Sequence, residues 1–207
     1  FSKKKFNNNI LLKSGRMAFN HILSTIKNKK PNIKNILLPN LICEEVVSIS
    51  KLHNIEVSYY SIDEKLNFNI NEINELSNDG NNIILIVNYF GFLFNQEKMK
   101  FFNKINNFII EDNAHVLRNE SVNNNLMFAD YSFSSLRKLL PILSGAEIYS
   151  KSNDLNLIQS SRTPDVGELV YSMRGLKKKR SGVSKLGHSS SNKDTNIMPI
   201  DIFSKYI

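Results

Sequence analysis

The chain has 207 residues, 41% apolar and 22% charged, with 27 Lys and Arg against 19 Asp and Glu for a formal net charge of +8. That is material for one sizeable domain with a buried core. Its single cysteine, Cys43, excludes an internal disulfide framework, and no apolar run approaches the ~18 residues that span a bilayer.

The basic balance suits anionic partners such as phosphates and nucleotides. The lysines are scattered, which reads as solvated surface rather than a nucleic-acid interface. The run Lys177-Lys178-Lys179-Arg180 has no interleaved aromatic residues and reads as a solvated helix end. One cysteine and no visible signal peptide fit a reducing compartment, so a cytoplasmic location is expected. The first residue is Phe1 rather than Met, which reads as a truncated or processed start.

In chain order, strand and helix alternate. Residues 16–27 carry Met17, Phe19, Ile22, Leu23 and Ile26 at helical spacing, with Ser14 as the N-cap. Asn35–Pro39 reads as a short strand stopped by proline, Glu44–Leu52 as a helix and Glu56–Tyr60 as an alternating strand. Ile70–Leu76 reads as one or two helical turns, and Asp79-Gly80 as a turn. The unbroken apolar run 83–87 fits a parallel strand covered on both faces. Residues 96–102 read as a helix, and 108–111, Tyr131–Ser134 and 147–150 as further strands. Repeated strand–helix–strand units predict an α/β fold with a mostly parallel sheet between helical layers. The expected division is a core over 1–150 and a basic, Ser-rich tail over 151–207, with one basic helix around 169–179.

Two segments, 26 positions apart by their lead residues Asp112 and Lys138, carry the chemistry. Asp112, with His115 close behind, follows the apolar stretch at Ile109 and Ile110. Lys138 follows the strand-like Tyr131–Ser134. A strand-end acid and a downstream lysine suit pyridoxal phosphate, whose pyridine nitrogen needs a carboxylate and whose carbonyl forms a Schiff base with an amine. Ser14-Gly15 opens a helix, where backbone N–H groups favour a phosphate. In open parallel sheets all three would meet beyond the carboxyl ends of the strands.

Other chemistries lack their motifs. Ser135-Leu136-Arg137-Lys138 has the S-x-x-K spacing of penicillin-binding enzymes without the two downstream motifs they need. Neither of the glycine-rich nucleotide-binding patterns occurs. His21, His53, His115, His188 and Cys43 show no metal-ligand spacing, so no metal is expected. The sequon at Asn119 reads as chance.

In order, Ser14-Gly15-Arg16, Leu38-Pro39, Tyr59-Tyr60-Ser61-Ile62-Asp63, Asn88-Tyr89-Phe90-Gly91, Glu111-Asp112-Asn113-Ala114-His115 and Ser135-Leu136-Arg137-Lys138 resemble the DegT/StrS sugar aminotransferases. These are pyridoxal phosphate enzymes of the aspartate aminotransferase fold type. The resemblance runs from about Leu12 to Ser150. It implies that Lys138 forms the Schiff base and carries the proton between Cα and C4′. Asp112 would pair with the pyridine nitrogen and His115 would lie near the ring hydroxyl. Gly15 and Arg16, after Ser14, would give N–H groups to the phosphate, and Ser135 or Ser134 a hydroxyl. Cys43 would stand where many relatives put an aromatic residue over the ring, and Gly145-Ala146 replaces a Gly-Gly.

The activity implied is transfer of an amino group from an amino acid, glutamate or glutamine, to a keto group on a nucleotide-linked sugar in polysaccharide or amino-sugar synthesis. A homodimer with the active site at its interface is implied too. Ile207 falls about where the family's smaller C-terminal domain would start. The expectation is therefore a fragment, or a member that has lost catalytic parts and acts as a binding or structural module.

Overall fold

The computed structural model describes residues 9–94, 102, 106–116, 129–140, 142, 144–152 and 155. The elements are β1 (Asn9–Leu12), α1 (Gly15–Lys29), β2 (Asn35–Pro39), α2 (Glu44–Leu52), β3 (Glu56–Tyr60), α3 (Ile70–Leu76), β4 (Asn82–Val87), β5 (Phe108–Asn113), β6 (Tyr131–Ser134), α4 (Leu136–Leu139) and β7 (Ala146–Ser150), with a 3₁₀ turn at Tyr89–Gly91. The strands form one seven-stranded sheet in the order β1-β7-β6-β5-β4-β2-β3. Pairs from β3 across to β6 are parallel. β7 runs antiparallel to both β6 and β1, so β1 shares the direction of the majority.

The sheet is covered on both faces, and the strands show why their sequences are apolar throughout. Successive side chains point to opposite sides. Ile36, Leu38, Ile83, Leu85 and Ile110 enter one core with Phe19, Ile22, Leu23 and Ile26 of α1 and Val46 and Ile49 of α2. Leu37, Ile84, Ile86 and Ile109 enter the other core with Tyr60, Phe68 and Ile73 of α3. Each strand therefore needs apolar residues at both parities. The Tyr60 hydroxyl, fully buried, donates to the Leu85 carbonyl at 2.7 Å and so enters the core without an unpaired polar atom.

Helix α1 sets the site. Ser14 is its N-cap, its Oγ accepting from the Met17 N–H at 3.3 Å. Lys27 and Lys29 close its last turn, where cations suit the dipole, and Lys27 Nζ donates to the carbonyls of Pro31 and Ile33. The apolar stripe of α1 lies on β6 and β7 and beside α2.

The mostly parallel sheet is as expected; its antiparallel strand β7 is reached from β6 through a short connection without a full crossover helix. Three differences from the sequence reading have physical causes. β1 was not foreseen, since it is short and lies at the sheet edge. The strand expected over 108–111 continues to Asn113, so Asp112 lies inside it; the polar side chains of Glu111 and Asn113 are bonded to Asn88, which lets the ladder continue. Lys138 follows Ser135 by one turn of helix, α4, not directly from a strand. The helix expected over 96–102 lies outside the described residues except for Phe102. The expected tail lies outside them except for 151, 152 and 155, and its basic helix over 169–179 wholly so.

Candidate functional site

Every candidate residue lies at one edge of the sheet. The parallel strands β2, β4, β5 and β6 and the co-directional β1 all end there, and α1, Cys43, Asn88, His115 and Ser135 follow those ends. This is the edge where loops of a parallel sheet are free to build a site.

Asp112 is buried, and its Oδ1 accepts from the Ala114 N–H at 2.8 Å. Burial pushes its carboxyl up to about 6, against the opposing pull of that N–H and of the Lys138 charge. His115 follows in the turn after β5. Lys138 Nζ, on the exposed side of α4, stands 3.4 Å from His115 Nε2. Loss of water and the neighbouring Lys138 charge lower the imidazole's affinity for a proton. A neutral imidazole can accept from the ammonium, so the pair does not require two like charges in contact.

Gly15 and Ser135 meet across the start of α1. A Cβ built on Gly15 would lie 3.3 Å from Ser135 Cβ and 3.5 Å from its Oγ. Any larger residue would press the helix opening against Ser135, which would have to give by a few tenths of an ångström. The first N–H groups of α1, those of Gly15 and Arg16, fall in the turn that has no carbonyl of its own to bond. The Arg16 guanidinium is 3.5 Å from the Glu45 carboxylate on α2.

Alternation separates the two serines. Ser135 shares a side with Phe133, whose ring is the other neighbour of Gly15 at 3.8 Å. Ser134 is buried on the opposite side, and its Oγ has no hydrogen-bond partner among the described residues. Of the two, the geometry brings Ser135 to the helix opening and leaves Ser134 away from it.

Cys43 caps α2 without a side-chain hydrogen bond and is exposed. Partial loss of water raises its thiol, and it feels both Asp112 and Lys138. The structure therefore sets Cys43 on the crevice with the other candidates, with a side chain too small to stack broadly on a ring. Among the described residues no group of three His, Cys, Asp or Glu could hold a metal ion. No described helix is long and apolar enough to cross a membrane.

Sequence reasoning gave no role to the segment after β4. Asn88 is buried; its Nδ2 donates to Glu111 Oε1 at 3.1 Å and Asn113 Oδ1 at 2.5 Å, and its Oδ1 accepts from the Phe94 N–H at 2.9 Å. Phe90 stacks on the His115 ring, 3° from parallel with centroids 5.9 Å apart. The available signal was a polar residue directly after an all-apolar strand, followed by aromatic residues and a glycine.

The residues present fit pyridoxal phosphate. A glycine cradle at a helix opening lies beside a buried hydroxyl, a buried acid is raised by loss of water, and an accessible amine stands at the same edge. No family model matches the chain, and no curated protein matches it. Solved structures do match in fold. A GDP-4-keto-6-deoxymannose-3-dehydratase with bound GDP-perosamine is 17% identical with a TM-score of 0.59, over 84% of this chain and 58% of that one. A Bacillus subtilis protein with bound cofactor PMP is 15% identical with a TM-score of 0.60, over 72% of this chain and 35% of that one. A putative sugar aminotransferase from Streptococcus pneumoniae in its PLP form is 13% identical with a TM-score of 0.54, over 88% of this chain and 49% of that one. The chain thus spans between about a third and three fifths of the length of these structures. The chain shares its fold with part of each of these structures.

Proposed function

We propose that the chain is the cofactor-binding core of a PLP-dependent aminotransferase. It would move an amino group from an amino acid, glutamate or glutamine, to the keto group of a nucleotide-linked sugar. The observation that carries this reading is the convergence of Lys138, His115 and Asp112 at one sheet edge, with Lys138 Nζ 3.4 Å from His115 Nε2. The fold likeness and the DegT/StrS-like motifs support it.

When bound, the cofactor supplies an electron sink and a carrier for the amino group. The chain's residues have separate tasks. The Gly15 and Arg16 N–H groups and Ser135 Oγ would bind the phosphate, with Ser14 shaping that turn. Asp112 would hold a proton on the pyridine nitrogen; a cation there returns the buried carboxyl to its ionised form. Lys138 Nζ would bind the cofactor carbonyl and move the substrate proton. His115 would orient the ring hydroxyl. Leu41, Phe90, Phe92 and Leu93 are exposed around the crevice, which suits cover by a second copy in a homodimer. Cys43 in place of an aromatic ring favours a second reading, a module that holds the cofactor or a phosphate ligand without turnover.

The test is borohydride reduction of the full chain after addition of pyridoxal phosphate, with the modified peptide found by mass spectrometry. The expected result is one pyridoxyl group on Lys138. No modification, or modification spread over the surface lysines, refutes the assignment. Amino-group transfer from glutamate by the modified-competent protein separates the enzyme from the module.

A further inference from the structure

The proposed reaction gives no chemical role to residues 88–94. Phe90 has φ 52, a left-handed conformation that non-glycine residues keep only where the surroundings hold them. Its side chain is 70% exposed, so core packing does not hold it. Its ring lies parallel to the His115 imidazole within 3° and offset from it, with centroids 5.9 Å apart. The backbone beneath is fixed from both ends. The Asn88 N–H donates to the Asp112 carbonyl at 3.0 Å, and the Phe92 N–H to the Tyr89 carbonyl at 2.9 Å. The Tyr89 hydroxyl donates to the Leu41 carbonyl at 2.5 Å. Gly91 has φ 88, and a Cβ there would sit 3.3 Å from the His115 carbonyl oxygen. The turn is pressed onto the backbone of the residue whose ring Phe90 covers.

We propose that Phe90 is a positioning residue: stacked on the imidazole, it fixes the plane of His115 and directs Nε2 at the Lys138 amine. The stack also removes water from one face of the ring, which favours its neutral form and leaves Nε2 able to accept from the ammonium. Among the described residues, the titratable groups of the crevice are Lys138 on α4, Asp112 in β5, Cys43 before α2 and Tyr89 beside Phe90, and Lys138 is the charge that acts on His115. The geometry belongs to the chain by itself; only the consequence for Lys138 rests on the aminotransferase reading.

The experiment is NMR of the histidine side chains in the full chain without added cofactor, with His115 assigned by the loss of its signals in His115→Gln. Phe90→Leu should move the His115 ring signals, as the ring is no longer held parallel to Phe90 and its surroundings change. It should also raise the imidazole's pKa toward the ordinary value of about 6.5. Phe90→Gly accepts φ 52 without strain, so it separates loss of the ring from loss of fold, and it should shift His115 as Leu does. Phe90→Tyr keeps the stack and should restore the parent signals. Unmoved His115 signals in the Leu and Gly variants, or a Tyr variant that shifts them as far as Leu, overturn the proposal. Addition of pyridoxal phosphate and borohydride to the same samples is a separate readout: failure of capture at Lys138 in the parent chain refutes the cofactor reading and leaves the imidazole result standing.

Discussion

Glu111 and Asp112 are adjacent, both buried, and turned by β5 to opposite faces of the sheet. Glu111 meets a designed polar neighbour: the Asn88 amide donates to it and also ties Asn113, whose own amide donates to Ser132 Oγ at 3.1 Å. Asp112 receives one hydrogen bond among the described residues, from the Ala114 N–H, and the charge of Lys138 at a distance. One carboxyl is built into the scaffold. The other lies on the side where α1, Cys43 and Lys138 gather, and burial raises its carboxyl. A buried polar group without compensation costs stability, and such a cost persists where a ligand relieves it.

The sharpest way to break that comparison is Lys138→Ala. If the Asp112 side is the cofactor side, this change removes covalent capture of pyridoxal phosphate outright and leaves the urea midpoint within a few tenths of a molar unit, since the side chain is exposed. Borohydride labelling and an unfolding curve on the same sample read both. Retained capture would move the chemistry away from this edge.

Next in size is the pH dependence of Asp112. Its folded value, about 6, lies above the value near 3.9 of an unfolded aspartate, so between those limits the folded chain holds more protons. The stabilising effect of the protonated form is complete below about pH 4 and is lost as pH rises to about 6. Two pH units correspond to roughly 3 kcal/mol. Asp112→Asn removes this loss. At pH 8 the cofactor-free variant should be more stable than the parent by up to about 3 kcal/mol, and at pH 4 the two should be equal. His115 titrates in both proteins, so the difference between them isolates Asp112. Urea unfolding at the two pH values is the measurement. The same variant should lose transamination. A parent–variant difference that does not change with pH would mean that Asp112 is already compensated in the cofactor-free chain.

The other side of β5 should respond with the opposite sign. Asn88→Ala strips Glu111 and Asn113 of their donor and the Phe94 N–H of its acceptor. It should cost about 1–3 kcal/mol at every pH, read as a fall in urea midpoint with an unchanged slope.

How much of this contrast was legible beforehand follows from the range of the forces. Strand parity, the α1 stripe and the Ser14 cap are local patterns, and they appeared in the structure within a residue or two. So did the gathering of Asp112, His115 and Lys138 at one edge, because a parallel sheet sends all its strand ends the same way. What escaped is set by partners distant in sequence. Glu111 and Asp112 look alike in a string of letters; only Asn88, 23 positions earlier than Glu111, tells them apart. The choice of Ser135 over Ser134 needs the register that places Phe133 under Gly15. The role of Phe90 needs a turn packed on a turn. β1 was too short to declare itself without β7 beside it.

The smallest effect tests the cradle at the opening of α1. Gly15→Ala adds one methyl 3.3 Å from Ser135 Cβ, tighter than ordinary contact. In a helix alanine is favoured over glycine by up to about 1 kcal/mol, so crowding and propensity oppose each other in the cofactor-free chain. Thermal stability should then change by no more than about 0.5 kcal/mol in either direction. Ligand binding has no such offset. A methyl at this point forces α1 and β6 apart where the phosphate would meet the first N–H groups, and a shift of that kind weakens the hydrogen bonds that depend on their direction. Affinity for pyridoxal phosphate should fall about tenfold, the equivalent of 1.4 kcal/mol, while pyridoxal without its phosphate should bind the variant and the parent equally. The phosphate-free ligand is what makes the result specific. If both ligands weaken together, the methyl has disturbed the whole edge; if neither does, Gly15 is there for the packing of α1 on β6 and the phosphate belongs elsewhere.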